Sequence, residues 1–272
     1  MNYRHRFHAG NVADIFKHLV LLELLERLRA KDSPFCVIDS HAGSGLYRLD
    51  PPGEFEHGIG RLWPVRHEWP QLAGYFAALA PYNRQRLHAY PGSPLLIAAR
   101  LRPQDRALFL EHQPQEAALL RDNLHGTPRV TVQQADAWAA LRGLLPPREN
   151  RGLVLIDPPY EQHEEFARVA AALKDGAHRW RNGIYAVWYP IKARRPVETL
   201  HAETRALGLE AWAVELLTLP EDVPQRLNGS GLLIVNPPWK LRDALEPLLR
   251  PLATWLAGPH GRPQLRFIGL GG

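Results

Sequence analysis

The stretch that decides the fold is Phe35-Cys36-Val37-Ile38-Asp39-Ser40-His41-Ala42-Gly43-Ser44-Gly45. Its apolar start includes two β-branched residues and predicts a short buried strand, and the glycines after it predict a tight turn at the carboxyl end of that strand. Open α/β sheets bind their ligands at such strand ends. Because a Gly-x-Gly turn alone is a weak indication, the ligand has to be inferred from the rest of the chain.

The composition is that of an ordinary globular protein. The chain has 272 residues, of which 45% are hydrophobic and 22% charged, and this excludes a disordered chain, a collagen-like repeat and a small disulfide scaffold. The single cysteine, Cys36, rules out an intramolecular disulfide and a Cys-x-x-Cys metal or redox site, and it favours a reducing compartment.

Charge and hydropathy give further expectations about location and partners. Residues 1–8 are polar and aromatic, and no apolar stretch approaches the roughly 18 residues that cross a bilayer, so we expect a soluble, cytoplasmic protein that does not bind membranes. The excess of 33 Lys and Arg over 28 Asp and Glu, a net charge of +5, permits nucleic acid as a partner without proving it.

Outward from the glycine turn, strand-like and helix-like segments alternate. Asn11 is a good cap for a helix over residues 12–29, where apolar residues repeat at helical spacing. Seven strands are predicted, with six helix-length segments between them: Phe35–Ser40, Ala107–Glu111, Val130–Gln133, Leu153–Asp157, Ile184–Tyr189, Ala211–Thr218 and Leu232–Asn236. This alternation predicts a doubly wound α/β sheet, and seven strands ending in a late pair are typical of the Rossmann-like S-adenosylmethionine-dependent methyltransferase fold.

Residues 46–91 interrupt the alternation. This interval is rich in proline, tryptophan and histidine, with a helical stretch near residues 72–79, and it has too few apolar residues for a core of its own. We predict three parts of the chain: residues 1–45, which start the methyltransferase domain, an inserted, partly helical subdomain over 46–91, and the rest of the domain over 92–272. The tail, residues 258–272, is rich in Gly and Pro, and we expect it to be weakly ordered.

Two acidic residues end neighbouring strands and are candidate cofactor ligands. In nucleotide-binding sheets an acidic residue about 20 residues after the glycines holds the ribose hydroxyls. Glu111 lies 66 residues after Gly45, and removing the 46 residues of the proposed insertion leaves 20. Asp136 follows the third strand, where such methyltransferases bind the adenine amino group of the cofactor, but it is an equally good N-cap for a helix over 137–145.

Ser93 is a third candidate, because Pro91-Gly92-Ser93-Pro94 opens the helix after the insertion. With Pro94 at the first helical position, Ser93 is predicted to be the N-cap. Since this helix begins beside the glycine turn, the Ser93 hydroxyl is also placed to contact the cofactor.

The strongest chemical signal is Gly152-Leu153-Val154-Leu155-Ile156-Asp157-Pro158-Pro159-Tyr160, a buried strand that runs into Asp-Pro-Pro-Tyr. The amino nitrogen of adenine is a poor nucleophile, so methyl transfer to it needs acceptors for its hydrogens and alignment with the methyl donor. The Asp157 carboxylate and the Pro158 carbonyl are predicted to be those acceptors, and Tyr160 to stack on a flipped base.

Gly231-Leu232-Leu233-Ile234-Val235-Asn236-Pro237-Pro238-Trp239 has the same form and is a rival for the catalytic turn. In these enzymes the catalytic turn follows the fourth strand, which Asp157 does, whereas Asn236 closes the seventh. Asn236 also lacks the charge to accept a proton. We therefore assign this second turn to structure or to the floor of the pocket.

Several strings together resemble one family, the 23S ribosomal RNA adenine-N6 methyltransferase J family (RlmJ), over essentially the whole chain. The amino-terminal string is the most specific of them. Asp-Pro-Pro-Tyr is less specific, because many amino methyltransferases share it. The strings are Tyr3-Arg4-His5-Arg6-Phe7-His8-Ala9-Gly10-Asn11, Ala13-Asp14, Lys17-His18, Asp39–Gly45, Asp157–Tyr160, Tyr90–Pro94, Leu101–Arg106 and Asn236–Trp239.

The resemblance implies methylation of N6 of adenine 2030 in 23S rRNA that is naked or partly assembled, with S-adenosyl-L-methionine as methyl donor and without a metal. By matching position it implies that Asp157 is the catalytic proton acceptor and that the cofactor contacts lie at His18, His41, Ser93, Glu111, Asp136 and Ala137, beside the glycines Gly43 and Gly45 of the turn. It also places Tyr3 on the RNA, with His5 and Lys17 as further candidates there. Ala137 departs from the glycine expected in the family, although a backbone contact survives that change.

Two other functions remain open. Methylation of adenine in duplex DNA would use the same chemistry, but no second large domain for sequence recognition is visible. A non-catalytic RNA-binding assembly protein would keep the fold with a degraded site, whereas the glycine turn, Glu111, Asp136 and Asp157 all have chemically sensible side chains. We expect a monomer.

Overall fold

The computed structural model describes residues 5–162, 164–221, 223, 226–258 and 263–271. Within this part of the chain, ten strands form one large sheet and one small one. Their bounds are β1 Cys36–Asp39, β2 Leu46–Arg48, β3 Ala89–Pro91, β4 Arg106–Glu111, β5 Val130–Gln134, β6 Gly152–Ile156, β7 Ile184–Ile191, β8 Ala211–Leu217, β9 Gly229–Val235 and β10 Gln264–Gly271. The large sheet has the order β10-β8-β9-β7-β6-β1-β4-β5, and β2 pairs with β3.

The large sheet is parallel from β5 to β7 and antiparallel beyond it. Strands β5, β4, β1, β6 and β7 run parallel, whereas β9 runs antiparallel to both β7 and β8. All seven predicted strands are found in this sheet within a few residues of their predicted bounds. The strand order reverses direction beside β1, which is where doubly wound sheets bind ligands, and the Rossmann-like fold is confirmed.

The helices of the described residues cover both faces of the sheet. They are α1 His5–His8, α2 Val12–Arg29, α3 Ile59–Leu62, α4 Ala73–Leu79, α5 Ser93–Ala98, α6 Pro114–Asn123, α7 Ala137–Leu144, α8 Glu165–Arg179, α9 Arg194–Arg205 and α10 Leu241–Ala257. Apolar side chains of α2, α5, α6 and α10 form one core, and those of α7, α8 and α9 form the core on the opposite face. The predicted bounds of α2 and its Asn11 cap are confirmed.

The tail was expected to be weakly ordered, and this is wrong for residues 264–271. They form β10, which pairs with β8 from Gln264↔Leu217 to Gly271↔Ala211. Within this stretch Leu270 is fully buried, and the Phe267 ring lies 5.8 Å from that of Trp212. The apolar residues of this stretch outweigh its glycines, because an open edge of the sheet is available for pairing.

Residues 46–91 form a segment whose two ends meet. Leu46 pairs with Pro91 and Arg48 with Ala89 in the antiparallel β2–β3 pair, and α3, α4 and short 3-10 helices lie between. The apolar side chains of the segment join the core on the α2 side, with the Trp69 and Trp255 rings 5.9 Å apart. No described helix is both long and apolar enough to cross a membrane.

Candidate active site

Four parallel strands bring the predicted site residues to one edge of the sheet. Asp39 pairs with Phe109 of β4 on one side and with Leu155 of β6 on the other. His41, Glu111 and Asp157 each lie two residues beyond this paired row, and neighbouring strands are about 4.8 Å apart. The register therefore brings these three residues to the same end of the sheet, although they come from distant parts of the sequence.

Glu111 is bonded directly to the glycine turn. Its Oε2 accepts a hydrogen bond of 2.8 Å from the Gly43 amide, and its Oε1 accepts one of 2.7 Å from the Gln113 amide. Gly43 and Gly45 have φ of +62° and +81°, a region that favours glycine. A carboxylate has about four acceptor positions, so Glu111 retains capacity for the two hydroxyls of a ribose.

Asp39 and His41 are two titratable groups whose charges burial suppresses. Asp39 is fully buried, and among the described residues its Oδ2 has no hydrogen-bond partner. Burial raises the pKa of the Asp39 carboxyl to about 7, with the nearby Ser93 hydroxyl acting in the opposite direction. Burial lowers the pKa of His41 to about 4, so its imidazole is neutral at pH 7.

The His41 ring is held between two neighbours. Its Nδ1 lies 2.7 Å from the Ser40 hydroxyl, and its centroid lies 5.0 Å from that of Trp138. A neutral imidazole beside an aromatic ring suits a cationic ligand, because it adds no positive charge that would repel one.

Asp136 is the N-cap of α7. Its Oδ1 accepts hydrogen bonds from the Trp138 amide at 2.8 Å and the Ala139 amide at 3.3 Å. The capping alternative is therefore confirmed, while a cofactor contact through the same exposed carboxylate stays a prediction. Ala137 is buried behind it at the start of the helix.

Lys17 connects α2 to the Asp-Pro-Pro-Tyr turn. Its ammonium lies 2.6 Å from Asp157 Oδ2 and 2.8 Å from Asp14 Oδ1, and the Lys17 side chain is only 6% exposed. Burial lowers the pKa of Lys17, but the charges of Asp14 and Asp157 outweigh it and raise the pKa well above its ordinary value. Lys17 is therefore a fixed cation that holds one oxygen of Asp157.

Tyr160 is more buried than we expect for a ring that stacks on an RNA base. It is 8% exposed, its hydroxyl donates to the Trp188 carbonyl at 2.7 Å, and its ring lies 4.7 Å from that of Phe166. Its φ of +51° shows how sharply the chain turns after the buried Pro158. Stacking of Tyr160 on a base stays a prediction.

His18 and Ser93 are both buried, His18 against Tyr90 and Ser93 beside Asp39. His18 is 1% exposed, and its Nδ1 lies 2.9 Å from the hydroxyl of Tyr90, which lies 3.0 Å from that of Tyr75. Ser93 is buried next to Asp39, but it is the first residue of α5 rather than its N-cap. The prediction that Ser93 caps this helix is wrong, because the chain becomes helical one residue earlier and Gly92 takes the cap position.

The amino-terminal arm is only partly described. Tyr3 lies outside the described residues, and so does the side chain of His5, which begins α1. The next part of the arm is held in place by Glu54, whose carboxylate oxygens lie 3.0 Å from His8 Nδ1 and 2.8 Å from Asn11 Nδ2. The arm is thus tied both to the 46–91 segment and to the start of α2.

The rival Asn-Pro-Pro-Trp turn lies at the opposite edge of the sheet. Because β9 is antiparallel, its last residue Val235 pairs with Tyr185 near the start of β7. Asn236 Nδ2 donates to the carbonyls of Arg181 at 2.7 Å and Gly183 at 2.8 Å. This turn is structural, and it cannot form the floor of a pocket at the edge that carries Asp157.

Sequence reasoning gave no role to Asp14, Asp39 or Trp138. Asp14 lies three residues after the Asn11 cap and three before Lys17, and this helical spacing is a signal that could have found it. Trp138 lies two residues after Asp136, in the first turn of α7. Asp39 stood in the glycine motif, but its lack of a partner depends on packing that the sequence does not display.

The chain is similar in sequence to known proteins over most of its length. A family model described as "Ribosomal RNA large subunit methyltransferase D, RlmJ" matches residues 32–268. Proteins named "Ribosomal RNA large subunit methyltransferase J" from Haemophilus influenzae and Escherichia coli are each 38% identical, over 269 and 256 residues. These matches cover 96% of this chain and 95% of the first protein, and 92% and 91% for the second.

A solved structure has nearly the same fold. The crystal structure of a protein from Legionella pneumophila is 33% identical and superposes with a TM-score of 0.90, covering 96% of this chain and 98% of that chain.

Proposed function

Because this chain belongs to the ribosomal RNA large subunit methyltransferase J family, we propose that it transfers a methyl group to N6 of adenine 2030 in 23S rRNA. The chain is a methyltransferase whose cofactor is S-adenosyl-L-methionine. The proposal rests chiefly on one observation, the Asp-Pro-Pro-Tyr turn placed by strand register beside the glycine turn.

The residues at this edge fit the cofactor in their chemistry. S-adenosylmethionine carries an ammonium, a ribose with two hydroxyls and an adenine amino group, all of which are hydrogen-bond donors. The unpartnered Asp39 Oδ2, the Glu111 carboxylate and the Asp136 carboxylate are acceptors at three successive strand ends. We assign the ammonium to Asp39 with Ser93 and His18 nearby, the ribose to Glu111, and the adenine to Asp136 and Ala137.

When bound, the cofactor supplies a methyl group on a positively charged sulfur, and transfer to nitrogen is a direct displacement. The protein has to hold the target amino group in line with that methyl and accept its hydrogens. Asp157 is bonded to Lys17 through Oδ2, which leaves Oδ1 for one amino hydrogen. The Pro158 carbonyl is the second acceptor, and a base drawn out of its stack reaches both.

Asp157 accepts the proton that the amino group loses after methylation. Lys17 keeps the carboxylate in one orientation, since a buried ammonium that also binds Asp14 cannot follow Asp157 if the latter rotates. Lys17 is therefore assigned a positioning role, and Tyr3 and His5 of the arm are assigned to the RNA.

RNA is favoured over duplex DNA as the substrate. The described chain builds one sheet with its covering helices and the 46–91 segment, which we infer to be an inserted subdomain. A reader of DNA sequence needs an element that enters the major groove, whereas RNA recognition depends on local shape. Because ribosomal RNA is its proposed substrate, we also infer that the enzyme acts in the cytoplasm.

The test is transfer of labelled methyl from S-adenosylmethionine to 23S rRNA lacking modifications, beside duplex DNA, followed by nucleoside analysis. We expect N6-methyladenosine in the RNA alone, and primer extension should map it to one site. Label on the DNA alone would overturn the RNA assignment. Label on neither, with the cofactor still bound, would favour the non-catalytic RNA-binding alternative.

A variant tests the assignment of Asp157. Asp157→Ala should abolish transfer while the cofactor dissociation constant changes by less than a few fold. Equal loss of both would mean that Asp157 builds the cofactor pocket instead of accepting the proton. Asp136→Asn is the matched control, because it alters a carboxylate assigned to the cofactor alone.

A further inference from the structure

The surface of the 46–91 segment carries two adjoining grooves that the proposed reaction does not use. One has a volume of about 530 Å³ and the other about 450 Å³, and both are lined by Arg84. The larger groove runs along α4 between Trp63 and Arg84. The smaller one lies along the loop after α4, where Arg86 and His88 line it.

The linings of both grooves are basic and contain no carboxylate. Arg66, Arg84 and Arg86 line them together with His67 and His88. Over the described part of the chain, none of these three guanidinium groups lies within 4.0 Å of an Asp or Glu oxygen. Of the other 22 arginines whose side chains the structure describes, 14 lie within 4.0 Å of a carboxylate oxygen, so unpaired guanidinium groups are the minority and three of them meet at these grooves.

Trp63 and Arg66 form a packed pair in the lining of the larger groove. Trp63 is 5% exposed and lines the groove, and its buried Nε1 has no acceptor among the described residues. The Arg66 guanidinium lies 4.6 Å from the centre of the Trp63 ring and donates to the Trp63 carbonyl at 2.8 Å. Arg66 is thus held in place with its remaining N–H groups available to an anion.

The exposed face of α4 allows a ligand to approach closely. Ala73, Ala77 and Ala80 line the larger groove at helical spacing, and all three are exposed. Side chains this small leave room for a bulky backbone between the arginines at either side. The rings of Trp63, Trp69 and Phe76 also line this groove, but each is less than a tenth exposed. A protein partner would therefore gain little contact from them, and this favours a polyanion.

The segment that carries the grooves is hydrogen-bonded at two points to elements of the candidate active site. The Gly92 amide, directly after β3, donates to the Gly45 carbonyl at 2.7 Å, so the end of the segment is bonded to the glycine turn. At its other side the segment is bonded through Glu54 to Asn11, six residues before Lys17. A strand of RNA held on the segment would therefore be fixed relative to Asp157.

We propose that these two grooves, lined by Arg66, Arg84 and Arg86, bind the sugar-phosphate backbone of the ribosomal RNA that flanks the target adenine. The inference rests on the proposed function, since it names where the RNA substrate of that site docks. Arginines bind phosphate through paired N–H groups, and the contacts are independent of base sequence.

The experiment measures binding and catalysis separately in the full-length chain. Binding of fluorescently labelled, transcribed 23S rRNA is followed by anisotropy from 50 to 200 mM salt for wild type, Arg84→Glu with Arg86→Glu, and Arg66→Ala. The control is Arg181→Glu with Arg205→Glu, which makes the same charge change at exposed positions on the opposite edge. Thermal melts and cofactor titrations verify that each variant is folded.

We expect the double groove variant to weaken RNA binding at least tenfold and to make the salt slope shallower by about 1.4 to 1.8, as for two lost phosphate contacts. The KM for RNA should rise while kcat at saturating RNA and cofactor affinity stay within twofold. Arg66→Ala should show the same pattern with a smaller loss.

Groove variants that bind RNA as the control does would overturn the inference, even if wild type methylates RNA normally. A wild type that binds RNA through the grooves but transfers no methyl group would instead overturn the proposed function. Loss of kcat without loss of binding would also refute docking, because it would mean that the arginines act at the reacting base.

Discussion

Replacing Asp39 with asparagine should stabilise the folded chain by more at pH 8 than at pH 5. Asp39 is fully buried at the carboxyl end of β1, and burial raises the pKa of its carboxyl from 3.8 to about 7. Asparagine has nearly the shape of the protonated acid, and its oxygen can still accept from the His41 amide, as Asp39 Oδ1 does at 3.3 Å. The variant differs mainly in having no proton to lose.

The expected size follows from proton linkage. A folded pKa above the unfolded one means that the folded state holds a proton that the unfolded chain has released, so stability is lost as pH rises from about 4 through about 7. From pH 5 to pH 8, with an unfolded pKa of about 3.9 and a folded pKa of about 7, the loss integrates to about 2.6 kcal/mol. The free energy of unfolding of Asp39→Asn, relative to that of wild type, should therefore rise by about 2–3 kcal/mol between pH 5 and pH 8.

Urea unfolding of both proteins at half-unit steps from pH 5 to pH 8, without cofactor, measures the difference. Histidines that titrate in both proteins cancel in this comparison. The exposed Asp32→Asn removes the same charge outside the core and serves as the control. A difference between Asp39→Asn and wild type that stays flat across the interval would refute the reasoning, because the native carboxyl would then titrate as it does in the unfolded chain.

Three further outcomes follow from the site. Lys17→Met should destabilise the fold by about 3–5 kcal/mol, because it leaves two carboxylates without the cation between them, and urea unfolding measures this loss. The variant should also lower kcat while the affinity for the cofactor is nearly unchanged, which single-turnover rates and cofactor titration measure. In Gly43→Ala the new Cβ would lie 2.0 Å from the Tyr47 hydroxyl, so calorimetry should show a cofactor affinity at least tenfold weaker. Gly126→Ala is the control, because Gly126 has a similar positive φ with open space around it, and this variant should leave the cofactor affinity unchanged. Asp136→Ala should lose about 1 kcal/mol of stability as a helix cap and also weaken cofactor binding; a loss of stability alone would make Asp136 only a cap.

The sequence predicted the sheet well because its strands are short apolar runs between clear turns. The spacing of Glu111 was also informative. With residues 46–91 set aside, Glu111 lies 20 residues after Gly45, the separation expected in a nucleotide-binding site. In the structure the Glu111 carboxylate accepts a hydrogen bond of 2.8 Å from the Gly43 amide. The sequence does not predict strand β10. The Gly and Pro content of the tail indicates weak order, whereas the apolar residues of Gln264–Gly271 form the strand. Whether such a stretch is ordered depends on an open sheet edge, which the local sequence does not show.

The chemistry of the site was predictable only in part. Asp157 is identified by the residues around it, whereas its pairing with Lys17 joins positions 140 residues apart. The unpartnered oxygen of Asp39 and the packing of Tyr160 likewise arise from the placement of whole elements. The direction of β9 distinguishes the two Pro-Pro turns, because the direction of a strand determines the end of the sheet at which its last residue lies. Local sequence does not show whether a strand runs parallel or antiparallel to its neighbours.

The pairing of Leu46 with Pro91 also bears on how this family can diverge. Since the segment leaves and rejoins the domain at adjacent positions, exposed loop residues between Arg48 and Ala89 can be gained or lost without changing the register of the large sheet, provided that the buried residues of the segment are kept. The surface that we assign to RNA thus lies on a part of the chain whose exposed loops and charge can change while the residues around Asp157 stay as they are. A change of RNA target would then require substitutions on this segment and none at the reaction centre.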